Sequence, residues 1–162
     1  MNTRISNQTK LFLILVYSLV LFSFTNPQKN YQYECVSVGN DGYVTIKIWN
    51  PQKGSNYKFD QSRKDAIYAV LFSGIPSNNG CILQKPFLQK QDEQERFKKL
   101  EKEFFKTNGI WTKFTSSAEN ESALPENLGS KNWKVFQVSV AKDLLRIYLE
   151  ENNIVKPLNE GF

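Results

Sequence analysis

Residues 61–75 read QSRKDAIYAVLFSGI, and this stretch decides the predicted fold. Its small and apolar side chains recur at the spacing of one helix face, which is typical of a helix that packs on a core. The stripe consists of Ala66, Ile67, Val70 and Leu71. Gly74 can end a helix with a positive φ, and Pro76 prevents the helix from continuing. The pattern predicts a helix over residues 61–73 whose apolar stripe is buried.

Two β-rich segments precede the helix, YECVSV at residues 33–38 and YVTIKIWN at residues 43–50. In the second segment, Val44, Ile46 and Ile48 share one face, as in a half-buried strand. The intervening GNDG suits a hairpin turn, because Asn and Gly accept a positive φ. A single long strand with a bulge at a glycine fits the same letters. The sequence leaves these two alternatives open.

The rest of the chain alternates between predicted helices, strands and one loop. The predicted elements are a helix at 92–107, a strand at 110–114, a surface loop at 115–132, a strand at 133–140 and a helix at 141–153. The side chains expected to face inward from the last helix are Leu144, Leu145, Tyr148 and Leu149. The order β-β-α-α-β-β-α predicts an α+β fold, in which two or three helices pack on one face of a small, mostly antiparallel sheet. We expect one such domain over residues 26–162.

The N-terminus carries the pattern of an export signal. Arg4 and Lys10 precede the apolar run LFLILVYSLVLFSF at residues 11–24, after which the chain becomes polar. This run is shorter than the roughly 20 residues that a membrane span needs. A signal peptide over residues 1–25 is therefore predicted, and it places the protein in the periplasm, at the cell surface or outside the cell. The alternative is a retained anchor, which would then be the only predicted contact with a membrane.

The composition excludes several kinds of chemistry. The chain contains no histidine, which removes Ser-His and Cys-His nucleophiles and most zinc sites. Its formal charge of +5 is modest, and acidic and basic residues are mixed along the helix at 92–107 rather than clustered. This distribution does not predict nucleic-acid binding. No catalytic, cofactor-binding or metal-ligating residue is predicted.

Carboxylates and aromatic residues leave one enzymatic or sugar-binding alternative open. The carboxylates that a glycosidase would need could come from Asp41, Asp60, Asp65, Asp92 or the glutamates. A sugar-stacking surface could come from Trp49, Trp111 and Trp133. Nothing in the sequence places two acids across a cleft, and aromatic residues of a small domain more often belong to its core. The sequence favours a protein without catalytic activity, with a small secreted hydrolase or carbohydrate-binding protein as the alternative.

Cys35 and Cys81 are the only cysteines, and we expect them to form a disulfide. No histidine is present to activate either thiol, and the thiols of exported proteins tend to oxidise. If the first β-rich region is one bulged strand, the following helix runs back along it and returns Cys81 to the level of Cys35. A hairpin would instead place Cys35 beside Trp49, away from Cys81. The predicted bridge is thus tied to the bulged-strand alternative.

A recurring pattern extends from the first cysteine to the second. It comprises a Cys, a Gly-x-Asp-Gly, a β-rich run that ends in Trp, a helix with a basic-Asp-Ala core, a Phe-x-Gly-Ile end and a later Cys. The matching residues are Cys35, Gly39, Asp41, Gly42, Trp49, Lys64, Asp65, Ala66, Phe72, Gly74, Ile75 and Cys81. In this pattern the chain resembles a group of uncharacterised exported proteins from Bacteroidota.

A second, looser pattern involves KDA at residues 64–66 and VFQVSVAKDLLRIYLEENNIV at residues 135–155. These segments are similar to the N-terminal domains of flagellar assembly protein T and related outer-membrane lipoproteins. Both resemblances imply an envelope protein with a small sheet and packed helices, used as a structural or accessory component. We therefore expect an exported cell-envelope module that acts by protein–protein interaction, with an envelope protein or with itself, and without a cofactor.

Overall fold

The centre of the fold is a three-stranded antiparallel sheet. Its strands are β1 (Gln32–Val38), β2 (Tyr43–Trp49) and β3 (Val135–Ala141), in the order β1-β2-β3. The computed structural model describes residues 30–39, 41–78, 80–116, 119–125, 128–129 and 131–158. Three α-helices accompany the sheet within these ranges, which confirms the predicted α+β class.

β1 and β2 form a hairpin, so the alternative of one bulged strand is wrong. Gln32 lies opposite Trp49 at the open end of the hairpin. Val38 lies opposite Val44 next to the turn. β1 does contain a bulge, but the bulge shifts the register within the strand and does not join the two strands into one.

The turn of the hairpin requires a glycine at position 42. Gly42 has a φ of +80°, a region that side chains with a Cβ atom rarely occupy. A Cβ atom on Gly42 would also collide with the carboxylate of Asp143. The Gly39 N–H closes the turn by donating to the Tyr43 carbonyl oxygen at 2.9 Å. Gly39 and Gly42 of the GNDG sequence therefore lie in a turn between the two strands, as the hairpin alternative predicted.

The helices are α1 (Phe59–Tyr68), α2 (Gln91–Phe104) and α3 (Lys142–Glu151). α1 continues as one π-helical turn, Ala69–Ser73, and ends at Gly74, whose φ is +77°. The helix predicted over residues 61–73 is thus confirmed, although it begins at Phe59. All four residues of its predicted apolar stripe are buried: Ala66, Ile67, Val70 and Leu71.

The helices cover one face of the sheet, as predicted. The buried residues that β2 and β3 contribute to this face are Val44, Ile46, Ile48, Phe136, Val138 and Val140. α1 and α3 contact the sheet directly, and α2 packs against them through aromatic rings. The Phe97 ring lies 5.9 Å from the Phe72 ring. The Phe104 ring lies 5.5 Å from the Tyr148 ring, so aromatic contacts join all three helices.

The segment predicted as a strand at 110–114 is a 3₁₀ helix, and this prediction is wrong. Its buried residues, Trp111 and Phe114, are three positions apart. This spacing matches the turn of a 3₁₀ helix and not the two-residue period of a strand. The chain then continues along the outer edge of β3, where the Ser116 N–H donates to the Ser139 carbonyl oxygen at 3.0 Å. The order of regular elements is therefore β-β-α-α-β-α.

The predicted signal peptide, residues 1–25, and the predicted domain boundary at residue 26 lie outside the described residues and remain predictions. The described core is one hydrophobic cluster that joins the sheet to α1, α2 and α3. In the part of the chain that the structure describes, no helix combines the length and hydrophobicity of a membrane span.

Candidate functional site

The predicted disulfide between Cys35 and Cys81 is confirmed, and the two Cα atoms lie 6.3 Å apart. The topology from which the bridge was predicted is nevertheless wrong. Cys35 lies in the middle of β1, opposite Ile46, and not beside Trp49. Because Ile46 belongs to the covered face of the sheet, Cys35 faces the side from which the chain arrives after α1. The hairpin therefore allows the bridge.

A loop, which we call the 75–84 loop, is fastened along the edge of the sheet; its described residues are 75–78 and 80–84. Ile75 and Gln84 exchange both backbone hydrogen bonds, at 2.8 and 2.9 Å. β1 is an edge strand, and its Cys35 N–H donates to the side-chain oxygen of Asn78 at 3.2 Å. The loop thus covers the middle of an edge that would otherwise present unpaired backbone groups.

The wide turn at the end of α1 fixes the base of this loop. The Leu88 N–H donates to the carbonyl oxygen of Leu71, in the π-helical turn, at 2.9 Å. A Cβ atom on Gly74 would collide with the Gln84 carbonyl oxygen. Only glycine allows the two sides of the loop to approach this closely with a positive φ. The base of the loop is therefore part of the folded core.

Six large apolar side chains are strongly exposed in the described residues. They are Tyr43, Ile82, Leu83, Leu144, Ile147 and Leu158. Ile82 and Leu83 are neighbours in the 75–84 loop, between the disulfide-bonded Cys81 and the paired Gln84, and they are 76% and 59% exposed. We call this exposed pair the tip. Leu144 and Ile147 lie one turn apart on α3. Exposed apolar groups on fixed backbone are candidates for contact with a partner.

The apolar surface on α3 consists of Leu144, Ile147 and the partly exposed Tyr148, and we call it the α3 patch. Leu144 is 52% exposed and Ile147 is 49% exposed. The Tyr148 ring is held at 5.5 Å from the Phe104 ring and at 5.4 Å from the Phe114 ring. The patch is therefore an exposed group of two aliphatic side chains beside a fixed aromatic ring.

The prediction that Leu144 faces inward is wrong. Leu145 and Leu149 are the residues of α3 that lie in the core, and both are fully buried. Leu144 lies about 100° around the helix from Leu145, outside the width of this buried stripe. The first turn of α3 is fixed to the hairpin, because the Asp143 N–H donates to the Gly42 carbonyl oxygen at 3.2 Å.

A basic groove of about 510 Å³ lies between α1 and α2. Its lining residues are Gln61, Lys64, Tyr68, Lys98, Glu101, Lys102 and Phe105. The Lys64 ammonium donates to the Phe105 carbonyl oxygen at 2.7 Å and lies 5.0 Å from the centre of the Trp111 ring. A cation at the last carbonyl groups of a helix stabilises that helix. Lys64 therefore has a structural role at the end of α2.

A second groove, of about 540 Å³, contains two carboxylates, those of Asp60 and Glu119. The Asp60 side chain is 77% exposed and pairs with Arg63 at 3.3 Å. Glu119 is also exposed. Both acids are therefore solvated, whereas a glycosidase needs one carboxyl group in an environment that keeps it protonated. Within the described ranges, no three acidic or cysteine side chains converge as metal ligands would.

The remaining candidate acids do not meet in either groove. Asp41 accepts a hydrogen bond from the Tyr43 N–H at 3.3 Å, in the hairpin turn. Asp92 pairs with Arg96 at 2.8 Å along α2, and this hydrogen bond lowers the pKa of Asp92. Both residues are at the surface. Asp41 accepts a hydrogen bond within the turn, and Asp92 forms an ion pair within α2.

Asp65 is buried, and its carboxylate belongs to the core. The Tyr57 hydroxyl donates to Asp65 Oδ2 at 2.8 Å, and the Gln61 amide donates to Asp65 Oδ1 at 2.8 Å. Burial raises the pKa of Tyr57 far above its ordinary value, and the negative charge of Asp65 raises it further. Burial also raises the pKa of Tyr31. This network satisfies a buried charge, as a stable core requires.

The raised pKa of Tyr57 predicts that the protein loses stability in alkaline solution. The unfolded chain releases the Tyr57 proton above about pH 10, whereas the folded protein retains it, so unfolding becomes more favourable as the pH rises. The contribution is fully present below pH 10, and Tyr57 alone should remove about 1.4 kcal/mol by pH 11. Urea denaturation at pH 9, 10 and 11 checks this slope. Tyr57→Phe should reduce it, and equal slopes for both proteins would contradict the assignment.

Two of the three tryptophans are core residues, as the sequence favoured. Trp49 and Trp111 are buried. The Trp49 indole N–H donates to the Gln32 side-chain oxygen at 3.1 Å, and that of Trp111 donates to the Lys106 carbonyl oxygen at 2.8 Å. Trp133 is partly exposed, with the Lys131 ammonium 4.4 Å from its ring centre. The first two rings are therefore not available to stack on a sugar.

Comparisons with protein-family models, with curated proteins and with solved structures give no match to this chain. The resemblances to exported proteins of Bacteroidota and to flagellar assembly protein T therefore remain expectations. The exposed side chains of the 75–84 loop and of α3 were not identified from the sequence. The only sequence signal for the loop was the apolar pair Ile82-Leu83 in an otherwise polar connection.

Proposed function

We propose that this protein is an exported accessory module of the cell envelope, and that it acts by binding another protein or a second copy of itself. The observation that supports this function best is the α3 patch. α3 already buries Leu145 and Leu149 in the core, yet it also presents Leu144 and Ile147 to solvent. A helix with apolar residues on both sides is usually covered on both sides.

The fixed geometry of the α3 patch supports the same function. The Tyr148 ring is packed between neighbouring aromatic rings, so little side-chain freedom is lost when a partner contacts it. Tyrosines of this kind are enriched among the residues that dominate interface energies. The patch is therefore suited to the centre of a small interface.

The disulfide supports action outside the cytoplasm, because stable bridges of this kind are typical of proteins that fold in an oxidising compartment. Cys35 is fully buried and Cys81 nearly so, so the bridge is part of the folded core. The apolar run at residues 11–24, with its basic flank, supports export by a signal peptide. Periplasm and cell surface are the locations that we propose.

Site-specific crosslinking in the exporting cells tests the proposed interaction. A photoreactive phenylalanine analogue in place of Ile147 is expected to give one discrete product, with an envelope protein or with a second copy of this chain. The matched control carries the analogue in place of Lys98, which is exposed on α2. Absence of a product from position 147, or the same product from both positions, would contradict the proposal.

Export itself predicts a processed N-terminus. We expect the protein recovered from outside the cytoplasm to begin between residues 24 and 30, because the polar chain starts after the apolar run. N-terminal sequencing of the exported protein checks this expectation. An intact Met1 would contradict cleavage, and recovery from the cytoplasm alone would contradict export.

A further inference from the structure

We propose that the tip of the 75–84 loop docks on the surface of a bilayer that contains anionic phospholipid. This inference does not depend on the proposed protein interaction, because it concerns different residues on a different element. The tip consists of Ile82 and Leu83, the two most exposed neighbours among the large apolar residues described.

Both neighbouring side chains of the tip are mostly exposed, Ile82 at 76% and Leu83 at 59%. Neither side chain is therefore packed into the core of the protein. Two adjacent aliphatic side chains that are free of the core can enter the boundary between lipid headgroups and acyl chains together.

The tip is held in this position from both sides. Cys81 is joined to β1 by the disulfide, and Gln84 is paired through its backbone with Ile75. The side-chain amide of Gln84 also donates to the carbonyl oxygens of Ile82 and Leu83, at 3.2 and 3.3 Å. Backbone groups that leave water need such partners. The tip therefore carries its own hydrogen-bond donors when it enters a less polar layer.

The charged side chains of the segment that contains the tip are positive. Between Ala66 and Gln91 they are those of Lys85 and Lys90 alone, and both are exposed. Lys142 also lies next to this segment, with its ammonium 3.4 Å from the side-chain oxygen of Gln84, but it pairs with the exposed Asp143 at 3.7 Å. Lysines close to an anionic membrane surface each strengthen binding. The combination of apolar tip and basic surroundings matches an anionic bilayer.

The C-terminal tail carries a further exposed apolar group. The Arg146 guanidinium lies 5.7 Å from the centre of the Phe87 ring and donates to the Lys156 carbonyl oxygen at 2.9 Å. The tail is thus fixed beside the segment that follows the loop. Leu158, two residues further on, is 71% exposed. Lys156 and Leu158 are a lysine and an exposed aliphatic residue that lie two positions apart, as Leu83 and Lys85 do.

The small size of the tip favours lipid over a protein partner. No other large apolar side chain of the 75–84 loop is exposed among its described residues. A protein interface of about 800 Å² on each side would therefore have to consist mostly of polar groups there. Insertion of two aliphatic side chains, assisted by lysines, is enough for weak and reversible membrane contact. We therefore expect binding that weakens when salt is added.

Vesicle sedimentation of the exported protein tests this inference. The protein should sediment with vesicles of phosphatidylcholine and phosphatidylglycerol more strongly than with phosphatidylcholine alone. Leu83→Asp should lower the partition coefficient by about tenfold or more, and Lys85→Gln by about fivefold. The matched control Lys98→Gln, the same change as Lys85→Gln at an exposed position of α2, should leave it unchanged. Equal effects of Lys85→Gln and Lys98→Gln, or no effect of Leu83→Asp, would overturn the inference.

A second measurement reports on the tip even if the apolar N-terminal run is retained and binds vesicles by itself. In the variant Leu83→Trp, the added indole should be quenched by phosphatidylglycerol with brominated acyl chains. The variant Leu144→Trp should not be quenched beyond the wild-type signal. No quenching in Leu83→Trp, or equal quenching in both variants, would overturn the inference. Loss of a protein crosslink in Leu83→Asp with unchanged vesicle binding would identify a protein as the partner and would also overturn it.

Discussion

The double variant Cys35→Ala/Cys81→Ala is expected to unfold with a free energy about 4 kcal/mol lower than that of the wild-type protein. The bridge joins residues that are 46 positions apart, and it restricts the unfolded chain over this whole loop. It also holds the 75–84 loop against the edge of β1. Alanine is the suitable replacement, because it removes the sulfur without adding a polar group at the fully buried position of Cys35. Urea denaturation of the variant and of the oxidised wild-type protein measures the difference.

Reduced wild-type protein provides the internal control for this experiment. Its free energy of unfolding should fall to that of the double variant, because reduction removes the same constraint. A loss below about 1 kcal/mol in the double variant would mean that the loop stays in place without the bridge. The disulfide would then contribute much less to the stability of the fold than we infer.

Leu71→Ala is expected to lower the free energy of unfolding by about 2–5 kcal/mol. Leu71 is fully buried in the π-helical turn at the end of α1, where neighbouring backbone hydrogen bonds limit collapse into the cavity. Leu83→Ala is the matched control, because it removes the same atoms from an exposed side chain. It should change stability by less than about 0.5 kcal/mol. A loss below about 1 kcal/mol for Leu71→Ala would contradict its place in the core.

The helix over residues 61–73 could be predicted because the spacing of its apolar stripe matches a helix, and because Gly74 marks its end. The arrangement of the first two strands could not, because Asn and Gly in GNDG suit both a turn and a bulge. The disulfide was predicted correctly from the wrong topology. The predicted pairing was tied to the bulged strand, but two cysteines allow only one intramolecular bridge, so the pairing is correct although the path between the cysteines differs.

The errors at residues 110–114 and at Leu144 have a common physical cause. In a short segment, the spacing of aromatic and aliphatic residues is compatible with more than one secondary structure and with more than one buried face. Tertiary packing then decides which of these forms. Trp111 and Phe114 are buried by a 3₁₀ turn, and Leu144 is left outside a stripe that Leu145 and Leu149 already fill. The sequence could not indicate which side of α3 would remain uncovered.

Most of the candidate surfaces could not be predicted from the sequence, because tertiary packing also decides which apolar side chains are exposed. Exposure of Ile82 and Leu83 depends on the disulfide and on the pairing of Ile75 with Gln84, which are contacts between distant parts of the chain. Without these contacts, an apolar pair in a long connection has no predictable orientation. Membrane contact was therefore predicted only for the N-terminal run, whereas the structure leads us to propose it for the loop.

The count of free thiols in the exported protein tests the central claim most directly, namely that the protein works outside the cytoplasm with its loop fastened to the sheet. The protein is recovered from the envelope or the medium, unfolded in denaturant without reductant, and titrated with a thiol reagent. We predict no reactive thiol before reduction and two after it, one each from Cys35 and Cys81. Two reactive thiols before reduction would contradict both the oxidising compartment and the fastened loop.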